Sequence, residues 1–100
     1  MELIIEECLK NYSDLEVLSE NDSELLDIYV DISTALGKIE LNMEERIVLA
    51  LVTKGYNYSE IERLSGLYRL NVPVHLANIC RRLEAALGEN YTTKLGETYE

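Results

Sequence analysis

His75 is the only histidine in a chain of 100 residues, and no second histidine or carboxylate stands at the spacing that a metal site requires. Cys8 and Cys80 lie far apart, inside apolar helical patterns and without a C-x-x-C partner, so they read as two buried reduced thiols. No nucleophile with its base, no phosphate-cradling glycine loop and no metal cluster can be named, so neither an enzyme activity nor a cofactor is expected. What remains for chemistry is hydrogen bonding. Asn71, His75, Asn78, Arg81 and Arg82, with Val74 among them, lie on the flanks and outer side of one helical pattern, whose other side is apolar. Seven tyrosines without a single Trp or Phe read as amphipathic edges of a core rather than as a stacking platform.

The elements that must position these side chains are helices. Apolar residues recur at three and four positions and no segment alternates convincingly, which predicts an all-α small bundle of four to five helices in a single domain. A first helix is expected over about residues 2–10, with a further turn near 14–19. Asn21 or Asp22 caps a second helix of about residues 23–37, with Leu25, Tyr29, Ile32 and Leu36 on one face. Asn42 and Glu45 form a capping-box pattern ahead of "RIVLALVTK", which runs to Gly55. Ser59 and Glu62 read as a second box, opening a short helix whose Ile61 and Leu64 face inward before Gly66 ends it. Val72, Leu76, Ile79, Leu83 and Leu87 then mark the buried side of a helix over about residues 71–87, stopped at Gly88. The tail "ENYTTKLGETYE" has no sustained period and is expected to fray.

Charge divides the chain unevenly. Residues 1–45 hold 13 acidic residues against Lys10 and Lys38, a balance of -11, whereas residues 46–88 hold six basic residues against three acidic ones, a balance of +3. The total of -10 would repel a polyanion, but a fold that turns its acidic part away can still present a basic face. No basic leader and no run of 18 apolar residues occurs, so a cytoplasmic protein without membrane contact is expected.

Residues 41–83, "LNMEERIVLALVTKGYNYSEIERLSGLYRLNVPVHLANICRRL", resemble the helix-turn-helix domain of LuxR/GerE-type regulators and, more loosely, region 4 of bacterial sigma factors. The resemblance rests on Glu45-Arg46 opening an apolar helix, Gly55 closing it, Glu60-Ile61 starting the supporting helix, and Gly66 at the turn. Val72 then anchors the recognition helix, followed by His75, Leu76, Asn78, Ile79, Arg81 and Leu83. Together with the charge and the periodicity it divides the single domain into acidic N-terminal helices over 1–40, a helix-turn-helix over 41–88 and a flexible tail over 89–100. It also implies a small transcription regulator of duplex DNA, with Arg69, Asn71, Val74, His75 and Asn78 facing bases and Tyr58, Ser59 and Arg82 nearer phosphates. Arg suits guanine, Asn suits adenine and Val the thymine methyl. The alternative is an acidic interaction module of the same fold, docking on RNA polymerase or another regulator; an oligomer and a viral DNA-packaging adaptor are further expectations.

Three positions depart from the family pattern. Pro73 stands where a basic residue is usual, which predicts a helix start with Asn71 as N-cap and Pro73 in the first turn. Glu62 replaces a small alanine and Leu70 a small turn residue, which predicts altered packing or exposed apolar surface.

Overall fold

The first turn of a helix leaves backbone N–H groups without acceptors, and three helices of this chain start where a side-chain oxygen takes that role. Asp22 accepts from the backbone N–H groups of Glu24 and Leu25 at 3.0 and 3.3 Å. Asn42 and Glu45 form the expected reciprocal box, with distances of 2.8 and 3.0 Å. The third box is Asn57 with Glu60, both bonds 2.9 Å, not Ser59 with Glu62. The same i to i+3 spacing fits twice in this stretch, and the earlier start adds two helical residues, Tyr58 and Ser59, ahead of Ile61.

The computed structural model describes residues 3–88 together with Tyr91 and Thr92. In chain order these form β1 (Leu3–Ile4), α1 (Ile5–Lys10), α2 (Tyr12–Leu18), a single 3₁₀ turn (Ser19–Asn21), α3 (Ser23–Leu36), α4 (Met43–Thr53), α5 (Tyr58–Ser65), α6 (Val72–Leu87) and β2 (Tyr91–Thr92). The architecture is all-α, with six α-helices among the described residues where four to five were expected. The N-terminal region supplies the difference: Asn11 leaves helical geometry and its side chain donates to the Glu7 carbonyl, so α1 and α2 are separate helices. None of the helices described is long and apolar enough to cross a membrane.

Helix α6 is the centre of the packing, touching α1, α3, α4 and α5. Its Val72, Leu76, Ile79, Cys80 and Leu83 are buried, as the spacing predicts, and Leu87 is half-buried. Ile5 and Leu9 of α1, Ile32 and Ala35 of α3, Val48 and Val52 of α4, and Ile61 of α5 complete one apolar cluster. Leu64, expected inside, is exposed. Helix α5 instead turns Tyr58, Ile61 and Ser65 inward, a set at spacings of three and four, which leaves Leu64 on the other flank.

The tail is described only at Tyr91 and Thr92, and there it does not behave as a loose end. β2 pairs in parallel with β1, Leu3 beside Tyr91 and Ile4 beside Thr92. Tyr91 is buried, and its hydroxyl donates to Asp31 Oδ2 of α3 at 3.0 Å. The expected fraying of the rest of residues 89–100 lies outside the described residues.

Candidate nucleic-acid interface

The corner between α5 and α6 is built by one glycine and one glutamate. Gly66 ends α5 with φ of +79°, a left-handed conformation that strains any residue with a Cβ. Glu62, one turn earlier, reaches forward and accepts the backbone N–H of Arg69 through Oε2 at 3.0 Å. That bond gives the departure from alanine a structural role, because it fixes the segment from which α6 begins. Pro73 occupies the first turn of α6, where its missing N–H has no helical acceptor to lose. Asn71 holds the N-cap position in helical geometry, but its side chain makes no capping bond.

Against this frame the eight expected contact residues fall into two groups. Ser59, Arg69, Asn71 and Val74 are exposed, on the first turn of α5, the corner, and the first turn of α6. Among the described residues no carboxylate pairs with the Arg69 guanidinium. The other four have partners inside the protein. Tyr58 is half-buried with Lys10 Nζ 5.3 Å from its ring centroid. His75 Nε2 lies 3.1 Å from Glu44 Oε2, and Asn78 Oδ1 accepts from Arg81 Nη1 at 3.1 Å.

Arg82 is the most firmly engaged. Its Nη1 donates to Glu45 Oε1 at 2.5 Å and to the Glu40 carbonyl at 3.2 Å. Glu45 is only 2% exposed while the Arg82 side chain is 44% exposed, so this pair joins α4 to α6 with its carboxylate buried and its guanidinium reaching the surface. Burial pushes the Glu45 carboxyl up, but the Arg82 hydrogen bond, the Asn42 N–H and the Arg82 charge outweigh it and hold the group below its ordinary value. Elsewhere in the core, burial first of all pushes the Cys80 thiol up to about 12, leaving it unionised and a poor nucleophile at neutral pH.

The sequence reading missed Lys10 and Glu44, which the fold brings to Tyr58 and His75. Neither has a local sequence signal, since both contacts join elements far apart in the chain. It also passed over Arg63, which stands exposed on α5. A cleft of about 250 Å³ opens beside Tyr56 and Tyr58, below the usual size of a small-molecule pocket. Among the described residues no three His, Cys, Asp or Glu side chains converge to hold a metal. Compared with family models, curated proteins and solved structures, the chain has no significant match.

Proposed function

We propose that this chain is a small transcription regulator that binds duplex DNA through α5 and α6. One observation supports it most: Arg69, Asn71 and Val74 stand exposed at the start of a helix whose opposite side is buried against α4 and α5. A helix of 16 residues is about 24 Å long, and the major groove is about 12 Å wide, so such a rod can present its first turns to base edges. Arg69 reads guanine, Asn71 adenine and Val74 a thymine methyl, while His75 and Asn78 reach bases after exchanging their present partners. Ser59 and Tyr58 lie nearer the phosphates. Arg82 serves to hold α6 on α4, and Arg63 and Arg81, both exposed, take the phosphate role expected of it.

Few cations flank this helix pair, so few counterions are released on binding. Fluorescence anisotropy with labelled duplex DNA should therefore give a shallow salt slope, on the order of -2 to -4 per monomer in log units. Arg69→Ala should lower affinity for a selected site by roughly tenfold or more, and Arg82→Ala should act through stability instead of slope. Absence of duplex binding at low salt would end the DNA reading.

A second reading, docking on RNA polymerase or another regulator, is favoured by the apolar residues at the same corner. Leu70 is 61% and Val74 56% exposed, with Tyr68 and Leu64 exposed beside them in the chain. Replacing Leu70 and Tyr68 by Ser should abolish capture of polymerase on that reading and leave duplex binding intact on the first.

A further inference from the structure

Between Asn11 and Leu36 the chain has seven carboxylates and no Lys or Arg, and all seven are exposed. The same stretch exposes large apolar side chains. Leu26 and Val30, one turn apart, stand on the outer side of α3, opposite Ile32 and Ala35, which enter the core beside α6. Val17 on α2 is 62% exposed and Val30 is 49% exposed. The Tyr29 hydroxyl donates to Glu16 Oε2 at 3.1 Å, tying α2 to α3. The Tyr12 and Tyr29 rings, 5.3 Å apart, reinforce that join. Scattered apolar side chains on a surface are ordinary, but here they sit on two joined helices in the most acidic part of the molecule.

We propose that the outer face of α2 and α3 is a docking site for a basic amphipathic helix of a partner protein. Charge complementarity selects that occupant. A nucleic acid or an anionic lipid surface is repelled by seven carboxylates, and a second copy docking through the same face would set one acidic field against another. A helix with Lys or Arg around an apolar stripe satisfies both properties of the face: its apolar anchors cover Leu26, Val30 and Val17, and its cations meet the surrounding Glu16 and Asp27. The proposal does not rest on DNA binding, because Leu26 and Val30 face away from the α6 side of α3.

The test uses the full chain and two synthetic labelled peptides of identical composition. In one, leucines recur at i, i+3, i+4 and i+7 with lysines between them; in the other the order is scrambled. The patterned peptide should bind saturably by anisotropy and at least about tenfold more tightly than the scrambled one, since only the former aligns its apolar side chains. Amide shifts in NMR spectra should concentrate on α2 and α3. The double variant Leu26→Ser/Val30→Ser changes exposed positions only, so its melting should match the parent while its peptide affinity falls about tenfold. Equal binding of both peptides, an unaffected double variant, or shifts concentrated on α6 would overturn the proposal. So would self-association in sedimentation that the double variant abolishes, which would make a second copy the occupant.

Discussion

The N-terminal helices α1 to α3 and the C-terminal helices α4 to α6 share one core but differ in charge on the outside. Ile5, Leu9, Ile32 and Ala35 from the first set interlock with Val48, Leu76 and Ile79 from the second, with no apolar boundary between them. The charge balance nevertheless runs from -11 over residues 1–45 to +3 over residues 46–88. Apolar burial is non-directional and unites the halves, while exposed charge costs little to segregate. Cohesion and surface identity are thus set by different residues of the same helices. Where the halves meet, Lys10 of α1 lies over the Tyr58 ring of α5, whereas Glu44 beside His75 and Glu45 with Arg82 join α4 to α6 within the second half.

The strongest way to break the comparison is to separate the halves. A fragment of residues 41–100 loses the α1 and α3 side of the cluster around α6, so it should lose cooperative unfolding in a denaturant melt. A fragment that melts as sharply as the whole chain would make the two halves independent units.

Next in size is Leu76→Ala. Leu76 is fully buried in the helix that both halves pack against, and its truncation should cost about 2–5 kcal/mol by chemical denaturation. A change of a few tenths would mean that α6 is not the shared centre.

Much of this was legible in the chain because it is local. The Asn42 and Glu45 box, the positive-φ glycines at 55 and 66, and the stripe from Val72 to Leu83 are each read from residues a few positions apart. Local reading also produced the errors. Ser59 with Glu62 has the same spacing as Asn57 with Glu60, so the spacing alone does not separate the two starts. Leu64 stands three positions after Ile61, but Tyr58, three before it, and Ser65, four after it, take the inward side instead. Of the eight expected contact residues, Ser59, Arg69, Asn71 and Val74, exposed and without an inward partner among the described residues, follow from position on the helices. The commitments of Tyr58, His75 and Arg82 depend on residues from α1, α4 and the segment before α4, which no periodicity within α5 or α6 can reveal.

The pair between α4 and α6 gives a smaller effect with a pH signature. Glu45→Ala removes the partner of Arg82 and the acceptor for the Asn42 N–H, and should cost about 1–3 kcal/mol at neutral pH. Because the folded-state value of Glu45 is held below its unfolded one, its contribution is present above the unfolded value and is lost as pH falls through the folded value. Glu45→Gln keeps an acceptor for the cap but no charge, so its stability should fall less steeply on acidification than that of the parent. Parallel acid limbs for the two proteins would show that Arg82 contributes nothing through charge.

The smallest effect concerns the acidic half alone, where the tail returns to α3. Tyr91→Phe leaves the buried ring and removes only its donation to Asp31, so the loss should be about 0.5–1.5 kcal/mol. Burial, followed by the hydrogen bond to Asp31 and its charge, pushes the Tyr91 hydroxyl from 10.0 up to about 12. A group raised on folding contributes fully below its unfolded value and loses that contribution as pH rises through the folded one, so the window runs from 10.0 to about 12. Thermal melts of the parent and Tyr91→Phe should differ at pH 8, and the parent should lose its advantage as pH rises above 10.0. If the two proteins melt together at pH 8, the hydroxyl bond holds nothing, and the ring and the β1 pairing alone keep the tail on the acidic half.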